Sequence, residues 1–271
     1  MCSSRRKGRK KCLERFQIAV RNSQEVAGIL FPERKGVDTV KVGRLVKSTL
    51  LVVFLAAACA VGCIVWQGYG IYREAMEEKP LEQRVAEQQA QPGYTALHDL
   101  PETYLQAVVA VEDHRFYEHG GIDLLAMGRA LWNDLRTLSF AEGGSTITQQ
   151  LAKNLCFSQE KELSRKVAEV FAAWELEREY TKDEILELYV NSIYYGSGCY
   201  NVGSASVTYF GKEPGAMTPQ ECTLLAGVPN APSVYDPTAN PDLALQRQRQ
   251  VVERMVAEEV LTESQAAALL A

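Results

Sequence analysis

Two segments of this chain carry residues able to do chemistry. They are Glu112-Asp113-His114-Arg115-Phe116-Tyr117-Glu118-His119 and Gly143-Gly144-Ser145-Thr146-Ile147-Thr148-Gln149-Gln150. The first sets a carboxylate where helical spacing asks for an apolar residue. Leu105, Val108 and Val109 fall on one stripe, and Glu112 continues it inward. Pro101 suits a first helical turn, so Glu112 falls near the C-terminal end, where the macrodipole disfavours negative charge. Burial and dipole together raise a carboxylate's hold on its proton, which suits a general base. An ordinary ion pair with Arg115 or His119 is the competing reading.

In the second segment, the glycine pair could aim backbone N–H groups and two hydroxyls at an anion. It could equally be a loop whose Ser or Thr caps the next helix. Gln149, Gln150 and Lys153 follow at helical spacing, and a lysine beside a bound phosphate would stabilise a leaving group. Leu163, Val167, Val170, Phe171 and Trp174 predict a core-facing stripe. Arg165 and Glu169 project from a different face, with Lys166 at its flank; in isolation they would be a weak surface pair.

The elements positioning these residues follow from charge and periodicity. Residues 1–47 hold thirteen Lys/Arg against four Asp/Glu, a net of +9, whereas the rest holds sixteen against thirty, a net of −14. Between the halves, Ser48 to Tyr72 is a run of 25 uncharged residues, longer than the roughly 20 needed to span a bilayer as a helix. Trp66, Tyr69 and Tyr72 would form an aromatic belt at the far interface, and the basic flank places residues 1–47 in the cytoplasm. A cleaved signal peptide fits poorly, because the leader is long and the apolar run continues past Ala58-Cys59-Ala60. The expected organisation is therefore a basic cytoplasmic tail (1–47), a transmembrane helix (48–72), a juxtamembrane stalk (73–95) and an extracytoplasmic domain (96–271).

The basic run Arg5-Arg6-Lys7-Gly8-Arg9-Lys10-Lys11, beside a membrane span, reads as a topology and anionic-lipid signal rather than a nucleic-acid site. Cys156, Cys199 and Cys222 cannot all pair within one chain, and no cysteine spacing matches a zinc site. From about Leu97 onward the periodicity is helical. Thr181-Lys182-Asp183-Glu184, Thr218-Pro219-Gln220-Glu221 and Thr262-Glu263-Ser264-Gln265 each predict a capped helix start. The expected fold class is mainly α, with one helical domain behind an N-terminal transmembrane helix.

These segments resemble the ordered signatures of the peptidoglycan glycosyltransferases. Glu112-Asp113-x-x-Phe116-x-x-His119-x-Gly121 resembles the first, and Gly144-Ser145-Thr146-Ile147-Thr148-Gln149-Gln150-Leu151-x-Lys153-Asn154 the second. Arg165-Lys166-x-x-Glu169 is similar to the third and Ile185-Leu186-Glu187-x-Tyr189-x-Asn191 to the fourth. The fifth, a paired arginine ahead of a hydrophobic stretch and Met, is only partly matched by Arg247-Gln248-x-x-Val251-Val252-x-x-Met255.

The resemblance implies a lysozyme-like helical glycosyltransferase domain that extends glycan strands from lipid II. It implies Glu112 as general base and Glu169 as a second catalytic carboxylate, positioning the pyrophosphate or a divalent metal ion (Mg or Mn). It further implies that Asp113, Phe116, His119, Thr146, Gln150, Lys153, Asn154, Arg165 and Lys166 bind substrate. The implied partners are lipid II, the nascent glycan, the cytoplasmic membrane, penicillin-binding proteins and other wall-assembly proteins, with no nucleic acid. Bifunctional relatives continue into a transpeptidase domain, so a chain ending at Ala271 resembles the monofunctional form or a fragment of a longer one. The rival readings are a lytic transglycosylase or lysozyme-like hydrolase, which needs no cation cluster, and a non-catalytic assembly scaffold.

Overall fold

The structure, a computed structural model, describes residues 39–137, 144–157 and 163–271. The expectations for the basic tail up to residue 38, and for Gly143, lie outside the described residues. The chain divides into two units, Met1–Ala60 and Val61–Ala271. Helix α1, Thr39–Glu78, is long and apolar enough over Val46–Glu78 to cross a membrane, and it contains the predicted span.

The second unit is helical, as its sequence predicts. Its helices are α2 (Leu81–Gln89), α3 (Glu102–Glu112), α4 (Leu124–Thr137), α5 (Ile147–Cys156), α6 (Leu163–Glu179) and α7 (Lys182–Val190). They continue with α8 (Val202–Phe210), α9 (Pro219–Gly227), α10 (Pro241–Ala257) and α11 (Glu263–Leu270). The described residues hold no β-strand, only one isolated bridge between Gly196 and Cys199. All three predicted capping boxes form, at Thr181, Thr218 and Thr262. Each matches a hydroxyl to an orphan N–H and a Glu or Gln side chain to the cap's own N–H.

Helices α5 and α6 pack along each other, and α7 packs on α5; α3, α9 and α10 form a second group. Tyr104, Ile147, Leu151, Leu176, Ile185, Tyr189, Leu225 and Met255 are fully enclosed between them.

Two expectations are corrected. Residues 73–95, expected as a juxtamembrane stalk, pack against the domain. Leu81 and Val85 sit in the core, and Arg84 donates to the Leu155 carbonyl at 3.0 Å. Glu187 accepts from Tyr94 OH and Leu97 N–H, both at 2.7 Å, and Asn191 exchanges hydrogen bonds with both backbone groups of Thr95. The acidic composition of this segment hid two apolar residues a turn apart, enough to dock a short helix.

The second correction concerns α6. Its predicted core stripe leaves Leu163 76% and Trp174 47% exposed, while the buried face is Ser164, Ala168, Glu169, Ala172, Ala173 and Leu176. Small residues let α5 approach closely. Of this stripe, Val167 and Phe171 instead meet the C-terminal part of α1, Phe171 against the rings of Tyr69 and Tyr72.

Candidate active site

Glu112 is the last residue of α3, and Asp113 already leaves the helix with φ −161°. Neither Arg115 nor His119 neutralises Glu112. Arg115 pairs with Asp123, and His119 Nε2 lies 2.9 and 3.0 Å from the two oxygens of Asp113. The hydrogen bond to Glu112 comes from α5, where Gln150 Nε2 donates to its Oε2 at 2.9 Å. Burial pushes the Glu112 carboxyl above the ordinary range, and the Gln150 hydrogen bond and the Arg247 charge pull it partly back. A carboxylate raised by desolvation and set in a cleft is a proton acceptor in waiting.

Asp113 fixes this arrangement. Its Oδ2 accepts the N–H of Ile147, the first residue of α5, at 3.1 Å. Thr146 caps the helix through a reciprocal box with Gln149 and donates its own hydroxyl to the Gly121 carbonyl at 2.6 Å. The anion expected at this helix start is thus the chain's own Asp113. Of the glycine-rich segment, Gly144 and Ser145 still line open space.

Two cavities meet at Glu112. One, of about 420 Å³, is lined by Val111, Glu112, Ser145, Gln149, Gln150, Lys153, Arg165, Lys166, Glu169, Pro229 and Asn230. Glu169 is buried at its centre. Arg165 ion-pairs with its Oε1, and Lys166 Nζ stands 2.8 Å from Oε2. That oxygen is buried and accepts no aligned hydrogen bond, so it keeps acceptor capacity. In place of a weak surface pair, Arg165 and Lys166 thus flank a buried carboxylate, Arg165 largely covered and Lys166 about half exposed. Lys166 also donates to Ser145 Oγ at 2.6 Å. Burial lowers the Lys153 amine below the usual lysine range, against the pull of Glu169.

The other cavity, about 740 Å³, shares Val111, Glu112 and Ser145 with the first. Its cations are Arg129 and Arg254, whose guanidinium groups each stand 3.3 Å from a different ring nitrogen of His114. Its apolar wall includes Leu124, Leu125 and Trp132 of α4, all at least 66% exposed.

The structure therefore gathers Glu112, Gln150, Lys153, Arg165, Lys166 and Glu169 around one cavity, while Asp113 and Thr146 border the other. Phe116, His119 and Asn154 line neither of these cavities. Phe116 is fully buried beneath the Lys182 ammonium, His119 clasps Asp113, and Asn154 donates to the Ser192 carbonyl at 3.2 Å. These three hold the frame. Gln248, at the unmatched basic position of the fifth signature, is buried and donates to the Gln220 carbonyl and Thr223 Oγ1. A neutral amide satisfies that niche.

Sequence reasoning missed Arg129 and Arg254. The signal for Arg129 was the predominantly apolar α4 around it, and for Arg254 its place beside Met255 of the fifth signature.

By proximity, Asp113, His119 and Asp123 could hold a metal ion, since their donor atoms lie within 4.8 Å of one another. Their chemistry fits one poorly. Both Asp113 oxygens already face His119, and one also accepts from Ile147 N–H. Those of Asp123 accept from Arg115 and from the N–H groups of Leu125 and Ala126.

Residues 77–256 match the family model described as Transglycosylase. Penicillin-binding protein 1F of Bacillus subtilis is 44% identical over 160 residues, covering 59% of this chain and 22% of its own length. Penicillin-binding protein 1A of Neisseria lactamica is 43% identical over 169 residues, covering 62% of this chain and 21% of its own. A Cupriavidus necator protein provisionally named a transglycosylase is 46% identical over 165 residues, 61% of this chain and 71% of that one. The chain thus spans about a fifth of the penicillin-binding proteins it matches. The crystal structure of penicillin-binding protein 1A from Haemophilus influenzae aligns at 22% identity and a TM-score of 0.38, over 65% of this chain and 17% of that one. That likeness is too slight to carry an argument.

Proposed function

The chain belongs to the transglycosylase family, and from this we propose that it polymerises peptidoglycan glycan strands from lipid II. The observation that carries the reading is the position of Glu112, a buried-side carboxylate with a raised pKa shared by two cation-bearing cavities. A transfer between two lipid-pyrophosphate sugars needs one anion-holding site on each side of a base.

In this mechanism the 420 Å³ cavity takes the donor and the 740 Å³ cavity the acceptor. Glu112 accepts the proton of the acceptor's N-acetylglucosamine 4-hydroxyl as that oxygen bonds to C1 of the donor's N-acetylmuramic acid. The C1–oxygen bond to pyrophosphate breaks on the opposite face, so the anomeric centre inverts. Lys153, Arg165 and Lys166 stabilise the negative charge that develops on the leaving pyrophosphate. Glu169 holds Arg165 and Lys166 in place and is the second catalytic carboxylate. Gln150 orients Glu112, whereas Asp113, Thr146, Phe116, His119 and Asn154 act through the frame.

A divalent ion, where the pyrophosphate brings one, would neutralise phosphate charge, with Glu169 Oε2 as the protein oxygen able to accept it. The three cations supply that neutralisation from the protein. Residues 48–72 would anchor the enzyme in the cytoplasmic membrane beside its lipid substrate, with the basic tail inside and the domain outside. Penicillin-binding proteins and other wall-assembly proteins are its expected partners.

The test is to give the purified protein labelled lipid II in one reaction and finished peptidoglycan in another. A polymerase makes muramidase-sensitive glycan from the first and leaves the second intact. Digestion of finished peptidoglycan without polymer formation would make it a hydrolase, and inertness toward both would make it a scaffold.

A further inference from the structure

Helix α6 serves two neighbours at once. One face carries Arg165, Lys166 and Glu169 into the cavity. Another receives the outer end of α1. Gly68 is buried there so closely that a Cβ would stand 2.6 Å from Val167 Cβ and 2.7 Å from the Ser164 carbonyl oxygen. Tyr69 meets Phe171 edge-on at 5.2 Å and Tyr72 meets it at 5.8 Å, while Tyr72 OH donates to Glu175 at 2.7 Å.

Beyond this contact, Arg84 accounts for the carbonyls at the end of α1. It donates to Ala75 O at 2.7 Å and Lys79 O at 2.9 Å, then reaches Leu155 O on α5 at 3.0 Å. The same short stretch therefore touches both helices that carry Gln150, Lys153, Arg165, Lys166 and Glu169. By contrast, a Cβ at Gly62 or Gly70 of the same helix would meet nothing within 4 Å. The tight fit is local to Gly68 and is not a general property of α1.

We infer that Gly68, Tyr69 and Tyr72 are positioning residues for the leaving-group cations, so that the end of the apolar helix is part of the active site's mounting as well as an anchor. The inference rests on the pyrophosphate reading of the cavity. A packed interface transmits displacement because side chains have little room to absorb it. Pushing α6 away at Gly68 therefore shifts Arg165 and Lys166 relative to Lys153 on α5.

The experiment uses the full chain with lipid II, both in phosphatidylethanolamine–phosphatidylglycerol vesicles and in detergent micelles. Gly68→Val should lower kcat by about ten- to a hundredfold in both settings, the cost of a misplacement of roughly 1 Å, with KM little changed. Tyr72→Phe should lower kcat less, and Gly62→Val should behave as wild type. An anchor acting only by concentrating enzyme near substrate predicts wild-type kcat and KM for Gly68→Val in both settings, because valine keeps the helix apolar. That outcome overturns the inference. Where Gly68→Val loses thermal stability relative to Gly62→Val, Gly68→Ala and Tyr72→Phe decide, and wild-type kcat in both overturns it. A wild-type protein that makes no glycan refutes the functional reading instead, which keeps the two failures distinct.

Discussion

Gln150 ties Glu112 to the protein interior: its Nε2 donates to Glu112 Oε2 at 2.9 Å, and its own amide oxygen accepts from Tyr189 OH at 3.3 Å. Burial favours the protonated carboxyl and this hydrogen bond favours the ionised one. Burial thus makes Glu112 a stronger proton acceptor, and the Gln150 hydrogen bond limits that rise.

Gln150→Leu should therefore move the acidic limb of the kcat/KM profile to higher pH. Only ionised Glu112 acts as a base, so activity falls as pH drops through its folded pKa. Removing a hydrogen bond to the ionised form raises that pKa further. A pH–rate series on both proteins checks this, and an unmoved limb would detach Gln150 from the base.

Lys153 should set the opposite limb. Burial lowers its amine below the usual lysine range, so its charge is lost at a lower pH than for an exposed lysine. Lys153→Ala should cut turnover by roughly 10²–10³. Lys153→Arg cannot deprotonate and should lose the alkaline limb even where its altered geometry slows the reaction. A retained alkaline limb in Lys153→Arg would assign that titration to another group.

The base should also cost stability. A carboxyl whose folded pKa lies above its unfolded value contributes stability below the unfolded pKa, which is lost as pH rises through the folded pKa. Burial raises Glu112 in this way. Glu112→Gln should then melt higher than wild type above that pKa, with the gap closing as pH falls below the unfolded value. Scanning calorimetry across pH reads it directly, and a variant that melts lower at neutral pH would contradict the assignment of burial as the cause.

Asp113→Ala should weaken fold and site together. It leaves His119 Nε2 and the Ile147 N–H unpaired in a buried place, at about 1–3 kcal/mol for each group. Chemical denaturation measures the loss. A wild-type midpoint would mean that water replaces both bonds.

What the sequence made legible was local. Capping boxes at Thr181, Thr218 and Thr262 need only four consecutive residues, and all three form. Glu112's inward position followed from its own helix. The misreadings depended on distant partners. The Leu163–Trp174 stripe is apolar, as periodicity shows, but periodicity does not say that Val167 and Phe171 meet α1 while Leu163 and Trp174 stay exposed. The hydrogen-bond partners that fix Thr146 and Asp113 lie 25 and 34 positions away, outside any local window. Arg129 and Arg254 converge on His114 from separate helices, and no window of sequence contains all three.

The mechanism turns on Glu112 serving as the base of a glycan polymerase. It is tested most directly by the initial rate of lipid II consumption for wild type and Glu112→Gln, at equal concentration and with folding matched by circular dichroism. The substitution keeps shape and removes the base, so the rate should fall by at least about 10²–10⁴ while lipid II still binds. Equal rates of glycan formation from the two folded proteins would contradict the account.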